Sequence, residues 1–212
     1  MSEPLRIGYP VLPELDDPNY GLALQRNFDD LALLGGNLQP KTASGTTFPT
    51  SPYEGQKFTY VADSTNGVLW TFEYHATGSS YDWWFTGGPP LFAEVATQEN
   101  TGSANYAALT TAGPSITLPL TGDYMVQQGA AIYNSSNAII YMSYDIGAST
   151  ATDADGILHY SGAGTNPINT AVTRIRRKTG LAASALVSKY KTSAGTAVFE
   201  NRWMSVTPVR VG

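Results

Sequence analysis

Cysteine is absent from this chain, and histidine occurs only twice, at His75 and His159. Without thiols there can be neither disulfides nor thiolate metal sites, so stability must come from core burial or self-association. Charge is also scarce: Asp, Glu, Lys and Arg make up 14% of the 212 residues, against about a quarter in an ordinary soluble domain. A surface of Ser, Thr, Asn and Gly suits β structure and subunit contacts, where charge is costly to bury. The net charge of −5 argues against general nucleic-acid binding. No window approaches ~18 consecutive apolar residues, so no membrane insertion is expected. The opening MSEPLRIGYPVLPELDDP has no basic stretch followed by an apolar run, so no secretory signal is expected and synthesis is cytoplasmic. Hydrophobic residues at 42% and aromatics at 11% exclude wholesale disorder.

What is present falls into three segments, and the fold expected is mainly β. Residues 1–48 read as an arm, a short helix and a linker. Pro4, Pro10 and Pro13 keep the arm extended. Asp17 and Pro18 open a helix that Gly35-Gly36-Asn37 closes, with Tyr20, Leu24, Phe28, Leu31 and Leu34 forming one apolar stripe. Either the rest of the chain or the same helix of neighbouring subunits covers that stripe; the extended arm before it and the linker after it favour a helix bundle that zips three chains together. The polar run Gln39–Ser51 reads as linker.

Residues 49–95 read as a three-stranded aromatic meander: KFTYVAD, an Asn66-Gly67 turn, GVLWTFEYHA, then YDWWFT, ended by Gly87-Gly88-Pro89-Pro90. Trp70, Trp83 and Trp84 are its aromatic payload, for a collar between subunits or for contact with glycan. Residues 96–212 carry short strands about every ten residues, the rhythm of an antiparallel β-sandwich of jelly-roll type.

Candidate chemistry is sparse. Neither histidine neighbours a strained nucleophile turn, which argues against acyl transfer. Asp153-Ala154-Asp155-Gly156 resembles the start of a calcium loop but lacks its terminal acid, and reads as an ordinary turn. Glu54, Asp63, Glu73 and Asp82 near the tryptophans are the sharpest enzyme hypothesis, a cell-wall glycoside hydrolase. The stronger reading makes them solvent-facing strand positions. Arg174, Arg176, Arg177 and Lys178 form the one basic cluster. The plain reading is an edge strand guarded by charge, the functional one contact with a polyanion. No catalytic residue, metal or cofactor is expected.

The runs PYEGQKFTYVAD, GVLWTFEY and WWFTGGPPLFAEV resemble a segment of virion structural proteins of tailed bacteriophages, notably those of actinobacterial hosts. The matching positions are Pro52, Gly55, Gln56, Asp63, Gly67, Val68, Trp70 and 87–91, and the closing FENRWMSVTPVRV is similar to the end of the sandwich that follows. The rhythm of the sandwich is also similar to trimeric tumour-necrosis-factor-like heads, an analogy of fold alone. The resemblance implies a non-enzymatic homotrimer on the virion surface: a head fibre, capsid decoration or minor tail protein. Met1–Asp17 lie outside the matched runs; as the extended arm they are the expected contact with phage capsid or tail proteins, and the knob would face a host-surface glycan. A carbohydrate-binding adhesin is the alternative function.

Overall fold

The computed structural model describes residues 42–161 and 169–212, and Ala43–Gly212 form one compact unit. The expected arm and the stripe from Tyr20 to Leu34 lie outside the described residues.

Alternation of apolar and polar residues builds the first hairpin. In β2 (Lys57–Asp63) Phe58 and Tyr60 point inward, and in β3 (Val68–Tyr74) Val68, Trp70 and Phe72 do the same. Their turn is fixed by Asp63, whose Oδ1 accepts the amides of Thr65 and Asn66 at 2.9 and 3.1 Å. Its Oδ2 accepts the Asn66 side-chain amide at 2.7 Å. These bonds, the Asn66 side chain foremost, hold the Asp63 carboxyl below its ordinary pKa. Gly67 completes the turn at φ 67°, a conformation that a side chain would strain.

β1 (Ala43–Gly45) runs parallel to β2, and β4 (Trp83–Gly87) runs antiparallel to β3. Within the stretch read as linker, β1 therefore pairs with the sheet, and Phe48 enters the aromatic core. The chain continues through β5 (Leu91–Val95), β6 (Glu99–Thr101), β7 (Ser115–Thr117), β8 (Gly122–Asn134) and β9 (Ala138–Ile146). It ends with β10 (Ile157–Ser161), β11 (Thr170–Leu181), β12 (Ala185–Thr192) and β13 (Ala197–Val211).

These strands form two sheets. The larger has nine strands, ordered β1-β2-β3-β4-β13-β8-β11, with β5 and β6 also paired to β13; the smaller is β10-β9-β12-β7. β13 organises the larger sheet: β6, β5 and β4 pair in succession along one edge, and β8 lies along the other. Its register breaks between Glu200 and Trp203, where Asn201 takes φ 49°, and again between Pro208 and Arg210. A bulge is the arrangement that lets a proline sit in an interior strand. Through the β4–β13 ladder the aromatic meander and the later strands share one sheet.

The apolar faces of both sheets meet in a common core. Trp70, Phe72, Tyr124, Val126 and Val206 of the larger sheet pack in one cluster with Tyr144 and Leu186 of the smaller. A second cluster gathers Ile132 and Phe199 with Ile140, Met142 and Tyr190. Each such side chain, fully withdrawn from water, contributes about 1.5–3 kcal/mol. Among the described residues there is no helix, and none long and apolar enough to cross a membrane.

Candidate functional site

The three tryptophans of the aromatic block occupy different environments. Trp70 is fully buried and donates its indole N–H to the Pro89 carbonyl at 2.8 Å. Gly88 makes that approach feasible, because a Cβ there would collide with the Leu69 carbonyl and the Trp70 backbone. Trp83 is also buried and stacks on Phe48, centroids 4.5 Å apart and planes 12° apart. Phe58 and Tyr74 close around it. The next residue points the other way: Trp84 is 44% exposed, edge-on to His75 at 5.1 Å. Of the three, Trp84 alone presents its ring to solvent.

The carboxylates of this block hold turns together. Glu54 accepts the Ala76 amide at 2.8 Å and lies 2.7 Å from His75 Nδ1; these contacts, the amide foremost, keep its carboxyl below the ordinary range. Asp82 accepts the hydroxyls of Thr77 and Ser79 at 2.8 and 3.3 Å. Glu73 lies 3.6 Å from His75 Nε2. Asp63 belongs to its own turn. Arg174, Arg177 and Lys178 of the basic strand are similarly engaged, whereas Arg176 is exposed. β11 is an edge strand, yet Arg174 donates to the carbonyls of Gly156 and Ala154 at 2.6 and 3.0 Å. Lys178 pairs with Asp155 at 2.8 Å, and Arg177 with Asp123 at 3.2 Å. The Asp153–Gly156 turn is thus clasped by β11. Asp153 itself takes Lys191 at 2.7 Å and the Tyr106 hydroxyl at 3.0 Å. Among the described residues no group of three or more His, Cys, Asp or Glu side chains could hold a metal ion.

Two buried charges were not singled out by the sequence. Asp123 receives Arg210 at 2.8 Å, Arg177 at 3.2 Å and the Gly180 amide at 2.9 Å, tying β8, β11 and β13 together. Burial pushes its carboxyl up, but Arg210, the Gly180 amide and Arg177 outweigh that and leave it below the ordinary value. Arg202, fully buried in β13, donates to the carbonyls of Thr97 and Thr111 at 3.1 and 3.3 Å and sits 5.5 Å from the centre of the Tyr190 ring. Nothing in local sequence marks either residue, since an inward charge on a strand looks like any alternating polar position.

The outer face of the larger sheet carries a further aromatic pair. Phe92, 57% exposed, lies beside Trp203 with ring centroids 6.3 Å apart and planes 25° apart. Trp203 covers Gly129 on the neighbouring strand, where a Cβ would come within 2.5 Å of the indole. Beside Phe92 a groove of about 560 Å³ opens between the β2–β3 turn, β5 and β7. The alternation in LFAEV, with Leu91 inward and Phe92 outward, was the available signal for this surface.

No family model matches the chain, and no curated protein matches it. Among solved structures it is similar to Eiger TNF from S. frugiperda, at 12% identity and TM-score 0.40, over 58% of this chain and 95% of that one. It is similar to the infectious bursal disease virus Gx strain at 9% identity and TM-score 0.37, over 79% and 55%. A third similarity is to the enzymatically active domain of bacteriophage CBA120 tailspike protein 4, at 15% identity and TM-score 0.27, over 56% and 19%. All three are too distant to bear on function.

Proposed function

We propose that this chain is a non-enzymatic structural protein of a virion surface, a head fibre, capsid decoration or minor tail protein. It acts as a homotrimer, attached through Met1–Asp17, with the two sheets forming an outward jelly-roll knob. The observation that carries this reading is the use of the polar residues. The acids of the aromatic block, Arg174, Arg177 and Lys178 of the basic strand, and the Asp153–Gly156 turn are engaged in holding turns and strands, while large apolar side chains stay in water. Leu158 and Tyr160 on β10 are 47% and 62% exposed, and Ile175 on β11 is 54% exposed. Among the described residues both strands lie at the edges of their sheets. Exposed apolar groups along sheet edges are a liability in a lone molecule and a contact surface in an assembly.

The residues of the phage resemblance fit this reading as architecture. Asp63 and Gly67 make the hairpin turn, and Gly88 and Pro89 seat Trp70. The test is rebinding to particles purified without the protein. The full chain is expected to bind them at a fixed location on capsid or tail, and a chain lacking residues 1–17 is expected to stay in solution. Equal rebinding by both would remove the attachment role, and rebinding by neither would remove the virion reading.

A further inference from the structure

The groove beside Phe92 is within the ~300–1,000 Å³ range that accommodates small ligands. Its lining combines two kinds of surface. Ser115 and Thr117 project from β7 on the side opposite the buried Ile116, so their hydroxyls stand two residues apart, about 7 Å. Ser64 and Asn66 face them from the β2–β3 turn. Among the described residues the hydroxyls of Ser64, Ser115 and Thr117 have no side-chain partner, so each is free to bond a ligand. At the lip stands Phe92, an exposed ring backed by Trp203 at a near-parallel 25°. Trp203 lies over Gly129, whose missing side chain leaves room for the indole, and so packs beside Phe92 on the same face.

Charge narrows the ligand. Among the described residues Asp63 is the one ionisable group lining the groove, and both its oxygens already accept bonds from Thr65 and Asn66. Among the described residues no Lys, Arg or His lines it, so a phosphate- or carboxylate-bearing polymer would meet no countercharge. A molecule with apolar C–H faces and many uncharged hydroxyls matches both surfaces. We propose that this groove binds a neutral oligosaccharide, one sugar ring lying against Phe92 and its hydroxyls bonding to Ser64, Asn66, Ser115 and Thr117. This site lies away from Trp70 and Trp83, and it does not depend on the virion reading.

An open, shallow site of this kind is expected to bind with Kd of about 0.1–10 mM. The test is saturation-transfer NMR and calorimetry on the full chain, with neutral hexasaccharides of glucose, mannose, galactose and N-acetylglucosamine, and a heparin hexasaccharide as the anionic probe. At least one neutral probe is expected to bind the unaltered chain. Phe92→Ala and Thr117→Trp, both at exposed positions, are each expected to weaken it at least about tenfold while melting temperature and sedimentation stay unchanged. The proposal is overturned if no neutral probe binds up to about 10 mM, if both variants bind like the original, or if the heparin probe alone binds. It is overturned equally if Phe92→Ala lowers the oligomeric mass, which would make that ring a subunit contact.

Discussion

Arg202 is the most informative residue to perturb, because its charge is wholly out of water and is held by carbonyls. The guanidinium forks to Thr97 and Thr111, pinning the connection between β5 and β7 to β13. Hydrogen bonds from a charged donor contribute about 1.5–3 kcal/mol each before the cost of burying the charge, and that cost offsets a good part of them. Arg202→Met keeps most of the side-chain volume and removes the charge, so a loss of about 1–2 kcal/mol is expected. Arg202→Ala adds a cavity beside Tyr190 and is expected to cost about 3–4 kcal/mol. Arg202→Lys keeps the charge but replaces the fork, whose two nitrogens each reach a different carbonyl, with a single strongly hydrated nitrogen, and is expected to be worse than Met. Urea unfolding at one fixed protomer concentration reads this order, since self-association would otherwise shift the midpoints. With a slope of about 2 kcal/mol/M, the Ala variant moves the midpoint down by about 1.5–2 M. A lysine variant as stable as the original would refute the reasoning, for it would mean that the fork is not what holds the connection.

The Asp123 cluster predicts a pH dependence. Its carboxyl titrates lower in the folded than in the unfolded chain, so its contribution is complete above about pH 4–5 and is lost as pH falls through the folded value. Asp123→Asn is expected to be less stable than the original by a constant amount from about pH 5 to 8, with the gap closing in acid; thermal melts across pH check it. Trp83→Ala is expected to cost about 3–5 kcal/mol and Trp84→Ala less than about 1, measured by the same denaturation. Gly88→Ala is expected to cost about 3 kcal/mol or more, because its φ of 130° and the Leu69 carbonyl both oppose a side chain. Loss of the buried Trp70 fluorescence signature would accompany it.

Local patterns carried much of the fold. The alternation in KFTYVAD and GVLWTFEY with Asn66-Gly67 between them is a hairpin by residue chemistry alone, and the structure folds it so. The strands from β7 to β13 also fall within the segment expected to carry short antiparallel strands. What was not legible depends on distant partners. Ala43–Gly45 is a triplet of small residues with no strand signature, and it becomes β1 by pairing with the edge of β2. Phe48 reads as a lone aromatic in a linker until Trp83 is seen to stack on it. LFAEV and ENT form β5 and β6 only because β13 is long enough to pair with both. The same reason hides the site. Trp83 and Trp84 are equivalent in sequence, and the sheet faces they occupy separate a core residue from a surface one. Asp123 and Arg202 are likewise ordinary letters until packing encloses them.

The proposed homotrimer would use the edge strands β10 and β11, with Leu158, Tyr160 and Ile175 exposed on them, as its contact surfaces. Sedimentation equilibrium of the full chain over a wide concentration range tests it most directly. The expected result is a single species of three times the 22.6 kDa chain mass, reduced to smaller species by Leu158→Lys with Tyr160→Lys. A folded species of one chain mass, persisting at the highest concentration reached, would contradict it.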